Sequence, residues 1–387
     1  MTGTDKTDGV LVRILYPMSD QTINIKDRVN DWPLWTPHDK YQRGYLKLAQ
    51  LPNPLTRLIR AFIPNIFIPI LEAVDPHRSD DDHQFPVIIF SHGNASCRTT
   101  YSSVCTELAS YGFIVFAVEH RDESAVTSSY PFGDGSFKWI HYRHVKLYHN
   151  DLPIRQEQLD QRVGDIQKTI DLLHDIQKGN KIQNVLKSEF QMEKLSGLLN
   201  LNKIILMGHS FGSSTVLKRN GLESCPTAPT LHKYANLSNP KKSQNDDRIH
   251  RKLDAWMYPL QGMDSSLVQQ PLHFINMQTF QIQRNLKMMT EYIGKGGINT
   301  DDRKVITIKD AKHTDQSDIP FTLPQPLLWI FGMKSKVDPF LVIDVTTALA
   351  LDFISDKLKI NLKTDKKQFI EKYVNTLIDG IDPIWWQ

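Results

Sequence analysis

A serine flanked by two glycines follows a short apolar run near the middle of the chain. Residues 204–207 are Ile-Ile-Leu-Met, the sequence Gly-His-Ser-Phe-Gly occupies 208–212, and the residues beyond it favour a helix. A serine at such a sharp strand-to-helix turn takes a strained conformation that exposes its hydroxyl above the sheet, and a side chain in place of either glycine would clash. The pattern predicts a nucleophile elbow with Ser210 at its tip.

Strands and helices alternate along the rest of the chain. The segments that predict strands are 10–16, 86–91, 113–118, 203–207, 272–276 and 304–308. The clearest helix spans 155–178, where apolar residues recur every three or four positions, and further helices are predicted at 341–358 and 366–378. This alternation predicts an α/β fold with a mostly parallel sheet covered by helices on both faces. We expect one domain over residues 1–387.

A hydrolase with such an elbow needs an acid and then a histidine after its serine, each on a loop that follows a later strand. Two histidines lie beyond any plausible acid. His273 falls inside the predicted strand 272–276, where side chains face the surfaces of the sheet. His313 follows the strand 304–308 in a polar turn, so it is the favoured base.

Chain order alone leaves the acid open. The aspartates between Ser210 and His313 are Asp246, Asp247, Asp254, Asp264, Asp301, Asp302 and Asp310. Asp254 is favoured because the two predicted strands 272–276 and 304–308 separate it from His313, as the order of the loops requires.

Several longer motifs occur in a fixed order along the chain. They are Phe-Ser-His-Gly at 90–93, Leu-Ala-Ser-Tyr-Gly-Phe-Ile-Val at 108–115, Val-Glu-His-Arg-Asp at 118–122, Gly-His-Ser-Phe-Gly at 208–212 and Leu-Asp-Ala-Trp-Met-Tyr-Pro-Leu at 253–260. Together they resemble the platelet-activating factor acetylhydrolases of the plasma and intracellular type II kind. The resemblance runs from about Val10 to Asp379, nearly the whole chain, and it implies an α/β-hydrolase fold.

The resemblance also implies roles for particular residues. It implies Ser210 as nucleophile, Asp254 as orienting acid and His313 as general base, with an oxyanion hole made by the backbone amides of Phe211 and Asn94. The family usually has an apolar residue where this chain has Asn94, a difference that leaves the backbone donor intact.

The resemblance implies a calcium-independent serine esterase of the phospholipase A2 type. Its substrates would be platelet-activating factor and related glycerophospholipids, from which it would remove an sn-2 acetyl or a short or oxidised acyl group through an acyl-enzyme. This activity is that of a 1-alkyl-2-acetylglycerophosphocholine esterase. A general carboxylesterase for small soluble esters and a catalytically inactive lipid-binding protein of the hydrolase fold stay open as alternatives.

The predicted chemistry needs no metal and no cofactor. His92, Glu119 and His120 are the residue types that hold metals, but they lie at separate strand ends without the spacing of a zinc or calcium site. The net charge of +3 is small and the basic residues are not interleaved with aromatic ones, so we expect no nucleic-acid partner. Three cysteines are too few for a disulfide framework. The sequence carries no signal for an oligomeric state.

Two stretches have the composition of surfaces that contact a membrane or a lipoprotein. Residues 55–71 are apolar but short and interrupted by arginines and prolines, so they do not predict a membrane span. Residues 327–334 combine aromatic residues with a lysine, a mixture that favours a membrane interface. The candidate contact residues are Leu58, Ile59, Phe62, Leu328, Trp329 and Phe331. The alternative is that both stretches cover the sheet or line an acyl pocket.

The segment 219–252 is polar and contains three prolines, a composition that predicts a loose loop inserted before Asp254. The polar residues before the first predicted strand do not read as a signal peptide. We therefore expect a cytoplasmic protein, in possible peripheral contact with a membrane, or a secreted one if the N-terminus is incomplete.

Overall fold

The computed structural model describes residues 9–19, 23–48, 54, 65–78, 83–132, 134–146, 148–186, 190–223, 249–294, 300–362 and 365–381. Three candidate lipid-contact residues, Leu58, Ile59 and Phe62, lie outside these residues. Most of the predicted polar insertion, 224–248, also lies outside them.

The strands are β1 Leu11–Leu15, β2 Phe85–Ser91, β3 Ile114–Glu119, β4 Thr127–Pro131, β5 Phe137–His141, β6 Leu199–His209, β7 Ile249–Leu253, β8 Leu272–Met277, β9 Arg303–Ile308 and β10 Leu377–Asp379. The α-helices are α1 Asp39–Leu48, α2 Ser102–Ser110, α3 Leu152–Gln177, α4 Phe211–Glu223, α5 Gln283–Ile293, α6 Ile319–Thr322, α7 Gln325–Ile330, α8 Pro339–Leu358 and α9 Lys366–Lys372. Short 3-10 helices lie at Ile25–Asp31, Met192–Leu195, Tyr258–Leu260, Ser265–Leu267, Gln278–Phe280, His313–Gln316 and Val374–Thr376.

One large sheet organises the described part of the chain. Its strand order is β1-β3-β2-β6-β7-β8-β9-β10. The six central strands of this order, β3, β2, β6, β7, β8 and β9, are parallel. The outermost strands, β1 and β10, are antiparallel to their neighbours. A separate hairpin joins β4 and β5. The predicted α/β-hydrolase architecture, a mostly parallel sheet, is confirmed.

Helices cover both faces of the sheet, and the alternation of side chains along β2 shows how. Ile88 and Phe90 face a core built with α2 and α8. Val87 and Ile89 point to the opposite face, where α3 and α4 pack. Because successive residues of a strand point to opposite faces, a central strand covered on both sides is apolar at every position.

The structure corrects the predicted limits of the polar segment. Helix α4 continues to Glu223, and strand β7 begins at Ile249, so the loop predicted over 219–252 is wrong at both ends. The strand before the acid was missed because two of its residues are polar yet fully buried. The Arg251 guanidinium donates to His273 and to the carbonyl of Ala350, and these partners make its burial tolerable.

The predicted helix 366–378 is also too long. Helix α9 ends at Lys372, and the chain then forms β10, in which Leu377 pairs with Ile308 and Ile378 pairs with Thr307. The exposed edge of β9 offers unpaired backbone groups, and these outweigh the local preference for helix.

The glycine at position 212 allows the start of α4 to lie against the end of β2. A Cβ at Gly212 would lie 2.0 Å from the carbonyl oxygen of Ser91, and backbone cannot move aside as a flexible side chain does. We therefore expect Gly212→Ala to lower the free energy of unfolding by about 3 kcal/mol or more, measured by urea denaturation.

Gly164→Ala is the matched control. Gly164 lies in the middle of α3, and a Cβ there meets nothing within 4 Å. The higher helix propensity of alanine should leave the free energy of unfolding unchanged or raise it by up to about 1 kcal/mol. Equal stability of the two variants would contradict the packing described here.

Candidate functional site

Ser210 lies at the sharp turn between β6 and α4. Its φ is +54°, in the left-handed region that a residue with a side chain rarely adopts. A Cβ at Gly208 would lie 2.4 Å from the carbonyl group of Gly212. Both glycines are thus required by close backbone packing, and the turn has the geometry of the predicted nucleophile elbow.

Asp254 and His313 meet at the same edge of the sheet. Asp254 directly follows β7, and His313 lies five residues beyond Ile308, the last residue of β9. The imidazole Nδ1 lies 2.6 Å from the carboxylate Oδ2, and the other carboxylate oxygen accepts a hydrogen bond of 3.0 Å from the backbone N–H of Met277. Both oxygens of the acid are therefore held, and one of them fixes the orientation of the imidazole.

Backbone hydrogen bonds attach the elbow to the loop of the acid. The N–H of Ser210 donates to the carbonyl of Leu253 over 2.9 Å, and the N–H of Trp256 donates to the carbonyl of Ser210 over 3.2 Å. Asp254 lies between these two contacts and itself has a left-handed φ of +41°. The structure therefore places Ser210, Asp254 and His313 after the ends of β6, β7 and β9, three parallel strands of the same sheet.

The side chain of His209 contacts the backbone of His313. A carbonyl oxygen can only accept, so the contact of 3.0 Å between His209 Nε2 and the carbonyl of His313 makes Nε2 the donor. His209 Nδ1 then accepts from the hydroxyl of Tyr101 over 2.8 Å. Burial lowers the pKa of His209 to about 3, and the neighbouring His313 adds a smaller effect in the same direction. His209 is therefore neutral.

The side chains of His209, Asp254 and His313 offer ligand atoms within 4.8 Å of one another, close enough to suggest a metal site. Both nitrogens of His209 and Nδ1 of His313 already take part in hydrogen bonds. The arrangement therefore fits a hydrogen-bonded acid–base pair better than a metal site.

The buried surroundings of His313 favour its uncharged form. Burial lowers the pKa of its imidazole and raises the pKa of Asp254, an effect on Asp254 that the Met277 amide opposes. Phe280 stacks on the His313 ring, with the ring centroids 3.7 Å apart. Sequence reasoning missed Phe280, Met277 and Tyr101, because no local pattern marks residues that act only through a distant contact.

The loop after β2 lies against the elbow. A Cβ at Gly93 would lie 3.2 Å from the Cβ of Ser210, so Gly93 permits this approach. The amide of Gly93 donates to the hydroxyl of Tyr101 over 3.1 Å. The next residue along the loop is Asn94, while Phe211 is the first residue of α4. Backbone amides at a helix N-terminus and in an adjoining loop suit the stabilisation of an oxyanion.

The rival acids that the structure describes, and the rival base, lie elsewhere. Asp264 caps a 3-10 helix by accepting from Ser266, Asp302 pairs with Lys357, and Asp310 pairs with Lys336. Asp301 is exposed, and Asp246 and Asp247 lie outside the described residues. His273 is buried in β8 against Arg251, as its predicted strand position implies.

The three residues considered as metal ligands take part in two hydrogen-bond networks, one that contains His92 and His120 and one that contains Glu119. His120 lies 2.8 Å from the hydroxyl of Ser91 and 3.0 Å from Asp165, and the backbone N–H of His120 donates to His92. Glu119 has hydroxyl and guanidinium donors, from Tyr41, Ser128 and Arg98. These buried polar groups brace the strand ends behind the site.

The second candidate lipid surface is only partly as predicted. Trp329 is 74% exposed, but Leu328 on the same short helix α7 is only 2% exposed and belongs to the core, so its prediction as a contact residue is wrong. Phe331 is half-buried. Ile330 and Phe340, which the sequence did not single out, are 63% and 67% exposed. Among the described helices, none is both long and apolar enough to cross a membrane.

This chain is similar to known proteins over nearly its whole length. The family model described as platelet-activating factor acetylhydrolase, isoform II, matches residues 1–382. The platelet-activating factor acetylhydrolase of Canis lupus familiaris is 32% identical over 380 residues, which are 97% of this chain and 76% of that protein. The protein of the same name from Gallus gallus is 31% identical over 398 residues, 99% of this chain and 84% of its own.

A putative phospholipase A2 of Schizosaccharomyces pombe is 26% identical over 399 residues, covering 92% of this chain and 85% of that protein. The motifs that suggested the resemblance thus belong to a match that extends over almost the entire sequence. The chain belongs to the platelet-activating factor acetylhydrolase, isoform II, family and is an esterase of that family.

Proposed function

We propose that this esterase hydrolyses the sn-2 acetyl, or a short or oxidised sn-2 acyl, ester of platelet-activating factor and related glycerophospholipids. The observation that carries the proposal is the hydrogen bond of 2.6 Å between Asp254 and His313, beside a serine held in the strained turn of an elbow. The names of the related proteins support the choice of a phospholipid ester.

In the proposed mechanism, His313 accepts the hydroxyl proton of Ser210 as the serine oxygen attacks the ester carbonyl. The amides of Phe211 and Asn94 donate to the oxyanion that forms. Removing one such donor typically costs about 3 to 4 kcal/mol of transition-state stabilisation. The intermediate collapses, and the proton on His313 passes to the departing sn-2 oxygen. Water then attacks the acyl-serine by the same route and regenerates the free enzyme.

Asp254 has two tasks in this mechanism. Its hydrogen bond to Nδ1 keeps the proton on that nitrogen, so Nε2 is free to accept the serine proton. Its charge also stabilises the imidazolium while His313 carries two protons. The backbone amides stabilise the developing negative charge without a metal. We therefore propose that catalysis is independent of calcium.

Contact with aggregated lipid is proposed for the exposed apolar residues Trp329 and Ile330 of α7 and Phe340 of α8. The exposed lysines 334 and 336 follow α7, a combination that suits the headgroup region of a bilayer or lipoprotein. The side chain of Lys312, next to His313 in the sequence, donates to the carbonyl of Gly332 just after α7. This hydrogen bond connects the end of α7 to the loop that contains His313.

The first test is a substrate series on the purified protein. Phosphatidylcholines with sn-2 acyl groups of increasing length should be hydrolysed with a steep loss beyond short chains, and a calcium chelator should not change the rate. Ser210→Ala should lose about 10^6-fold in turnover while its circular dichroism stays that of the wild type. Equal rates on soluble esters and on aggregated lipid would favour the carboxylesterase, and no hydrolysis at all would favour the inactive lipid-binding protein.

The second test concerns the acid. Asp254→Asn should lower turnover by roughly 10^4-fold, because the amide favours the wrong tautomer of His313. Asp264→Asn makes the same change on an exposed 3-10 helix cap and should keep turnover within about twofold of the wild type, since surface changes are usually mild. Steady-state kinetics on a soluble short-chain ester measures both. The reverse order of effects would assign the acid to another loop.

The third test concerns the lipid surface. Removing a large apolar side chain that enters the interface forfeits roughly 1.5 to 3 kcal/mol, so Trp329→Ala with Ile330→Ala should weaken vesicle binding by at least about tenfold. Hydrolysis of a soluble short-chain ester should stay unchanged. Val29→Ala alters an exposed apolar residue on another element and serves as control. An equal loss of vesicle binding and of soluble-ester hydrolysis would show that the two side chains support the fold and would contradict a role in lipid contact alone.

A further inference from the structure

The loop that carries the proposed oxyanion donor is fixed by backbone hydrogen bonds on one side of Asn94. The N–H of Ala95 donates to the carbonyl of Ser124 over 2.7 Å, and the carbonyl of Ser96 accepts from the N–H of Val126 over 2.9 Å. Ala95 also has a left-handed φ of +58°, so the chain turns sharply just after Asn94. The N–H of Asn94 belongs to the Gly93–Asn94 peptide group, whose carbonyl lies 2.7 Å from Nδ1 of His92, so its direction depends on how Asn94 is held on both sides.

The side chain of Asn94 connects the loop to two other elements. Its amide nitrogen Nδ2 donates to the hydroxyl of Tyr142 over 3.0 Å, and Tyr142 directly follows the hairpin strand β5. Its oxygen Oδ1 accepts a longer hydrogen bond, 3.4 Å, from Nη1 of Arg155 in the first turns of α3. An apolar side chain has neither a donor nor an acceptor and could not form this bridge.

The Arg155 end of the bridge is itself firmly held. Its guanidinium is fully buried, bonds to Gln158 over 2.9 Å and lies 3.6 Å from the carboxylate of Asp151. It also lies over the ring of Trp256, 5.5 Å from the centroid, just beyond the acid. Nε and Nη2 of Arg155 have no hydrogen-bond partner among the described residues, so burial and the contacts with Asp151 and Trp256 limit the movement of the group to which Asn94 is linked.

We propose that Asn94 is a positioning residue, whose side-chain bridge between Tyr142 and Arg155 holds its own backbone N–H in the direction of the oxyanion. The inference rests on the proposed function, because it matters only if an ester is attacked by Ser210. Stabilisation of the oxyanion depends on donors that are already in place, and a displacement of about 1 Å can cost 10^2-fold in rate.

Tyr142→Phe is the sharpest test, since it removes one hydroxyl from the bridge and keeps the ring. The kcat for a soluble short-chain ester should fall about tenfold, with KM within about twofold, because the donor acts in the transition state and not on bound substrate. Tyr130→Phe makes the same change on the same hairpin, where the ring packs against Arg121 instead, and should keep the wild-type kcat.

A double-mutant cycle separates the bridge from general loosening of the fold. Asn94→Ala keeps the backbone amide but removes the whole bridge, so adding Tyr142→Phe to it should cause no further loss of kcat. The inhibition constant of a trifluoromethyl ketone, which mimics the tetrahedral intermediate, should rise in each variant by the same factor as kcat/KM falls. Melting temperatures of the variants are measured alongside.

Wild-type kcat in Tyr142→Phe overturns the proposal, and so does a double variant in which the two losses multiply. A rise in KM at constant kcat also overturns it, since the bridge would then serve binding of the substrate. The proposed function fails separately, if Ser210→Ala retains the wild-type rate on the same ester. If Ser210→Ala is inactive but Tyr142→Phe keeps the wild-type kcat, the role of Asn94 is contradicted and the proposed function is not.

Discussion

The backbone of Gly212 lies against the carbonyl of Ser91, and the arrangement of the site depends on this contact. It joins the end of β2 to the start of α4, two elements that belong to different parts of the chain. The amide of Phe211 and the loop that contains Asn94 are thereby brought to the same place. Neither could stabilise a common oxyanion if a methyl group separated the two backbones.

Buried polar networks lie behind the site. Arg162 donates to the carbonyl of His92 over 2.8 Å and pairs with the buried Asp122, also over 2.8 Å. His120 and Asp165 form a second buried pair beside them. Breaking one member of such a network leaves an unpaired buried group, which typically costs more than the original bond contributed. We infer that these networks hold the strand ends at which the reacting groups sit.

Sequence reasoning succeeded where a signal is local. The elbow around Ser210 is a short pattern dictated by sterics, and the alternation of strands and helices follows from which faces are buried. The pairing of Asp254 with His313 agrees with the order of the loops, although the chemical roles of these residues stay predictions. The hairpin β4–β5, which Tyr142 directly follows, was not predicted from the sequence.

Other features depend on contacts between distant residues, which a single sequence does not display. Strand β7 was predicted as part of a polar loop because it contains Arg251 and Lys252. The hydrogen-bond partners of the buried Arg251 come from β8 and α8, which its local sequence does not reveal. Leu328 and Trp329 are neighbours of similar character, yet only packing decides that one is buried and the other exposed. The last residues of the predicted helix 366–378 form strand β10 instead, because they pair with the edge strand β9.

The central claim is that Ser210 carries the acyl group, and a labelling experiment tests it most directly. The enzyme is treated with a fluorophosphonate, and the modified peptide is then identified by mass spectrometry with and without a short-chain phospholipid present. The account predicts a single adduct on Ser210 that forms in step with loss of hydrolysis and is slowed by the substrate. An adduct on another serine, or full loss of hydrolysis with Ser210 unmodified, would contradict it.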